Sequence, residues 1–189
     1  MDESQSLKIE TLTQSIRASF EAGLSQSVIR ASQIQFMKLI PGHWFSTAAS
    51  ECIDMFVAGQ FYGAISISQA YVEALGRFLA DSHKLKSSGD FFILWQMLVK
   101  KGIVTLESQV AAVEIFDKRH DFHHLNKKIE TDYQTLEARA LGCINNLYVI
   151  ESHVFDYGIV EGKLYPTWPR YWPASRDEPE HISVNLRNI

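Results

Sequence analysis

Between Phe61 and Leu79 apolar residues recur every three or four positions, at Phe61, Ala64, Ile65, Tyr71, Val72, Leu75, Phe78 and Leu79. Residues at that interval stack on one side of a helix and on no side of a strand, so the stretch predicts a long helix with a thick apolar face. Gly63, Ala64, Ser68, Ala70 and Ala74 are small enough to let neighbouring helices approach closely, which makes this helix the expected centre of the core.

The same interval recurs on both sides of it. Ala48, Ala49, Cys52, Ile53, Phe56 and Val57 form one stripe, with Gly59 marking its end. Phe91 to Val99 forms a shorter one between Asp90, a capping residue, and Lys100-Lys101-Gly102, where basic residues suit the negative end of the helix dipole. Thr105 is placed to cap a helix carrying Val110, Val113 and Phe116. A last long pattern runs from Ile129 through Tyr133, Leu136, Ala140, Ile144 and Leu147 to Phe155; within it Glu151 must face water or, if buried, have a partner.

The two ends differ from this middle. Residues 1–25 read as a polar extension in which Leu12 to Leu24 permit a short amphipathic helix after a loose end. The apolar stretch Val28 to Ile40 stops at Pro41-Gly42, a turn. After Tyr157 come closely spaced prolines and aromatics, which exclude a further regular helix. Tyr165, Trp168, Tyr171 and Trp172 could strap this tail across the bundle, or recognise a partner. Val184, Leu186 and Ile189 alternate over too short a tract to define a strand. The expected fold is therefore all-α: a helical domain over 26–160 and an irregular aromatic and proline-rich tail over 161–189 packed on it.

With 189 residues and 46% hydrophobic content the chain can build one substantial core. A formal charge of -4 excludes a global cationic surface for indiscriminate binding to nucleic acid or anionic membrane, while leaving room for a local basic site. Cys52 and Cys143 are the only cysteines and lie in helical patterns, so they read as small buried hydrophobes of a reducing compartment. The first residues lack the cationic and apolar parts of a secretory signal, and no apolar run is long enough to cross a bilayer. A cytoplasmic location without membrane attachment is expected.

The least ordinary chemistry lies in Arg119-His120-Asp121-Phe122-His123-His124. On a straight helix His120 and His124 share one face and Arg119 and His123 another, whereas Arg119 and His124 diverge by about 140°. Their joint action would need a kink, an irregular turn or a second chain.

Three readings of these residues compete. His120, His123 and His124, assisted by Asp117 or Asp121, could bind a transition metal, although adjacent histidines point apart on a helix. Arg119 and His124 could act on phosphate, since guanidinium grips phosphate oxygens and imidazole transfers protons near neutral pH. Lys118, Lys127 and Lys128 would then extend a phosphate-binding patch. Alternatively, the segment is a solvated junction in which Arg119 pairs with Asp117 or Asp121.

The arginine, four intervening residues and histidine of Arg119 to His124, ahead of a long helix and behind a helix containing QAYVEALGRFL, resemble the HEPN superfamily (higher-eukaryote and prokaryote nucleotide-binding domain) over roughly residues 45–157. The resemblance implies a compact bundle of four or five helices, often a homodimer whose two arginine-histidine motifs meet across the interface. It implies a metal-independent endoribonuclease without a cofactor, in a toxin, stress or defence system, with an antitoxin or other protein as a candidate partner. The alternative is a noncatalytic module that binds RNA, nucleotide or protein. By this resemblance Arg119 stabilises phosphate charge, His124 is acid or base, and His120 occupies the orienting polar position. Asp121, His123 and Asn126 would be supports.

Overall fold

The computed structural model describes residues 3–86, 89–124, 126, 127, 129, 132–176 and 181–187. Helix α1 (Glu3–Gln33) leads to strand β1 (Leu39–Pro41), followed by α2 (Ser46–Val57), α3 (Phe61–Ser82), α4 (Phe91–Lys100), α5 (Leu106–Phe116), the short α6 (Arg119–His123) and α7 (Tyr133–Val154). Strands β2 (Tyr157–Val160) and β3 (Lys163–Pro166), a 3-10 turn (Pro169–Tyr171) and β4 (Val184–Leu186) complete the chain.

Helix α3 is the hub, packed against α2, α4, α5, α6 and α7, and α5 lies along α7. Ala64, Ile65, Val72, Leu75 and Leu79 are wholly buried on its inner face, as the three- and four-residue spacing requires. The expected caps are in place. Asp90 Oδ1 accepts from the Ile93 N–H at 2.9 Å, and Thr105 Oγ1 from the Ser108 N–H at 3.1 Å. Gly59, at φ 78°, ends α2 in the left-handed region that favours glycine. Cys52 and Cys143 are buried free thiols, and burial pushes them up to about 12 and about 11.

The all-α expectation is corrected by two small antiparallel sheets that pack with the helices into a mixed fold. In one, β1 pairs with β4, with Leu39 opposite Leu186 and Pro41 opposite Val184. In the other, β2 and β3 form a hairpin from Tyr157–Pro166 to Val160–Lys163. Glu161 and Gly162 form its two-residue turn, both at positive φ (50° and 77°), the geometry that matches strand twist. The tail is therefore not irregular throughout. At the other end, α1 is one helix of 31 residues and replaces the expected loose end and short helix.

Glu151, 1% exposed, has the partner its burial demands. Arg187 donates to both its carboxylate oxygens, at 2.6 and 2.7 Å, and the Tyr71 hydroxyl donates at 2.7 Å. The Arg187 backbone N–H also donates to the Lys38 carbonyl at 2.9 Å, so the same residue joins β4 to β1 and to the core. Of the four tail aromatics, Tyr171 and Trp172 are buried, whereas Tyr165 and Trp168 are exposed. His43 Nε2 donates to the Tyr171 carbonyl at 2.7 Å, and His83 Nε2 lies 2.7 Å from the Tyr171 hydroxyl.

These two histidines make the tail's attachment acid-sensitive. Burial holds both below the ordinary 6.5, and the neighbouring Arg170 lowers His83 further. The unfolded chain then binds more protons as pH falls through 6.5, so their contribution is present above that pH and lost as it falls towards the depressed values. The thermal midpoint is expected to be lower at about pH 5.5 than at about pH 7.5, with His43→Gln shrinking the difference. Equal midpoints at both pH values in calorimetry would contradict this.

Candidate functional site

The site is made by an interruption between two helices. After Phe116 the backbone leaves helical geometry at Asp117 (ψ 140°), and Lys118 takes the left-handed conformation at φ 55°, which is unfavourable for a residue with a Cβ. Two side chains fix this break. From α3, Gln69, with no exposed surface, donates through Nε2 to the Ile115 and Asp117 carbonyls, each at 3.1 Å. From α7, the Arg139 guanidinium donates to the Asp117 carbonyl, lies 3.6 Å from its carboxylate, and sits 5.2 Å from the centre of the Phe122 ring. Phe122, 4% exposed, also meets Tyr62 edge-on and anchors α6 to the bundle. The helix can then only present its polar residues outward.

Arg119 pairs with Glu73 of α3 at 3.1 Å, and its guanidinium lies 5.4 Å from the centre of the Phe116 ring. Glu73 also accepts from Arg77, one turn along the same helix. Among the described residues the buried Arg119 Nε has no hydrogen-bond partner. His123 follows on the same side: Arg119, Glu73, His124 and the Ser66 backbone all act on its ring electrostatically. Partial burial, then the Arg119 charge, holds His123 below the ordinary imidazole value, so the ring is neutral at neutral pH.

His120 and His124 form the other side, with ring centres 4.5 Å apart, and both are exposed. The four-residue spacing thus has its helical consequence. Arg119 and His123 share one side, His120 and His124 the other, and His123 touches both electrostatically. Asp121 faces away from this group; its carboxylate accepts from Asn126 Nδ2 at 2.9 Å and its carbonyl from the Asn126 N–H at 3.0 Å, closing the turn after α6. Beside Asp121 lies a cleft of about 170 Å³ that Lys118, Phe122, Thr135 and Arg139 also line. Lys118 and Lys127 are exposed, and Lys128 lies outside the described residues.

Two of the readings of the motif change in this geometry. Among the described residues no three histidine, cysteine, aspartate or glutamate side chains are grouped as a metal site requires. Asp117 pairs with Arg139 and Asp121 with Asn126, while Arg119 pairs with Glu73, a partner 46 residues earlier in the chain. Sequence reasoning missed Glu73, Ser66, Gln69 and Arg139. The one available signal was Glu73 with Arg77, four apart on the polar side of α3.

Among the described residues no helix is long and apolar enough to cross a membrane. No protein-family model, curated protein or solved structure matches this chain.

Proposed function

We propose that the chain is an HEPN-like, metal-independent endoribonuclease whose chemistry is carried by Arg119 and His124. The supporting observation is the chain of neighbours Arg119, His123, His124 and His120, in which His123 interacts electrostatically with both Arg119 and His124; because Arg119 and His124 lie on different sides of α6, their joint action draws on a second copy of the chain. Arg119 is oriented by Glu73 and keeps donors to place on a phosphate. In the reaction, His124 takes the proton of a ribose 2′-hydroxyl. The 2′-oxygen forms a bond to the adjacent phosphorus as the bond to the 5′-oxygen breaks, and His120 protonates the departing oxygen.

Glu73 acts as a positioning residue, as do Asp121 and Asn126, which close the turn behind His124. Lys118 and Lys127 would attract the nucleic acid backbone in a salt-dependent way. A cytoplasmic location, a homodimeric assembly and control by an antitoxin protein complete the proposal.

The second reading, a noncatalytic RNA- or nucleotide-binding module, is favoured by one feature: Glu73 already neutralises part of the Arg119 charge. A single experiment separates the two. Incubated with chelator, the protein is expected to cleave an oligoribonucleotide, leaving a cyclic 2′,3′-phosphate and a 5′-hydroxyl, and to leave intact the same strand with 2′-deoxy residues. Binding without cleavage selects the module, and equal cleavage of the deoxy strand removes the 2′-hydroxyl mechanism.

A further inference from the structure

Helix α1 is 31 residues long, about 46 Å, and nearly all of it up to Gln26 is exposed. Ile9, Leu12, Ile16, Phe20 and Leu24 are between 45% and 69% exposed, although they lie within about 120° of one another around the helix axis. At the other end of the helix this same face is covered. Arg30 is 7% exposed, paired with Glu137 at 2.7 Å and hydrogen-bonded to Tyr133, and Ala31 is half-buried. The stripe that docks on the bundle at its C-terminal end therefore continues for several turns with none of the described residues covering it. Where the two parts meet, Phe20, Gly23, Leu24 and Val28 face Val57 of α2 and the following Ala58 across an open apolar groove of about 550 Å³.

We infer that this face binds the α1 helix of a second copy of the chain, antiparallel to it. Three features of α1 select this occupant. The five residues leave on the order of 500–600 Å² of apolar surface per copy, at the lower end of the per-partner area of a stable interface and at the upper end of the largest patch on a monomer. Antiparallel pairing about Gln14 sets Leu12 of each copy opposite Ile16 of the other, and Ile9 within one position of Phe20. The same register brings Glu10 against Arg17 twice, on the same flank of the seam because the two residues are seven apart. In a parallel pair the two-fold axis runs along the seam and sets the Glu10–Arg17 flank of one copy on the side opposite to that of the other, so these charges do not meet. A two-fold axis through the middle of α1 thus pairs apolar with apolar and acid with base, the self-complementarity a closed dimer requires. The first turns of each copy then reach the Phe20 and Leu24 end of the other's groove.

This contact does not depend on the Arg119–His124 reading, and either can fail alone. The test is the mass of the full chain by sedimentation equilibrium at tens of micromolar. The wild type is expected to be a dimer, and Ile16→Glu combined with Phe20→Glu a monomer with the same unfolding midpoint for the bundle. Glu10→Arg and Arg17→Glu should each weaken the dimer several-fold, and together restore it. A monomeric wild type, as would occur if the face served a different protein, overturns the inference. So does a dimer that survives Ile16→Glu with Phe20→Glu.

Discussion

Arg187→Ala is expected to lower the unfolding free energy by about 3–5 kcal/mol, because it leaves the Glu151 carboxylate buried without its counter-charge. The size follows from the enclosure. The Arg187 and Glu151 side chains are 3% and 2% exposed, so water cannot replace the lost donors, and Tyr71 supplies only one hydrogen bond to a carboxylate that now receives three. For a chain of this size the loss corresponds to a fall in thermal midpoint of roughly 6–20 °C. Glu151→Leu with Arg187→Met should recover most of it, since an apolar pair of similar volume carries no desolvation cost. Denaturant titrations of the three proteins measure this, and an unchanged midpoint in Arg187→Ala would show that the tail is not held by this pair.

Arg119→Ala and His124→Ala are each expected to slow RNA cleavage at least about a hundredfold, while leaving the fold intact. Removing a fixed donor from a developing phosphate charge costs about 10²–10³ in rate, and removing a general acid or base about 10²–10⁴. Neither side chain is part of the core: Arg119 is 35% exposed and His124 lies at the surface, and the Arg119–Glu73 pair is partly solvated. A pair of that kind contributes about 0–1 kcal/mol to stability, so activity and stability separate in the Arg119 variant. His124→Ala should also remove one limb of the pH–rate profile, which a purely structural role would leave unchanged. Wild-type rates in both variants would remove these residues from the mechanism.

The helices of the bundle were legible because their apolar spacing and their caps agree. Asp90, Thr105 and Gly59 begin or end helices where local chemistry says they should. The demand that a buried Glu151 have a partner was also legible, but the partner was not, since Arg187 lies just after strand β4, 36 residues away. The sheets escaped for a physical reason. Three-residue strands such as β1 and β4 carry too few residues to show alternation, and they exist because the tail folds back onto the segment after α1. The β2–β3 hairpin did leave a mark, Glu161-Gly162 between two apolar runs, which the neighbouring prolines and aromatics obscured.

At the candidate site, the four-residue spacing revealed which side chains of α6 share a side. It could not reveal what orients them, because Glu73, Gln69 and Arg139 reach α6 through packing of α3 and α7. Helix α1 illustrates the reverse case. Its stripe was visible in sequence, but only the fold shows that the bundle covers one end and leaves the other open.

The most direct measurement of the central claim is the single-turnover cleavage rate of an oligoribonucleotide, in chelator, by the wild type, Arg119→Ala and His124→Ala. Cleavage by the wild type, with both variants slowed at least about a hundredfold and still folded, is the expected result. Cleavage by either variant at the wild-type rate would contradict it, as would a wild type that leaves the strand intact.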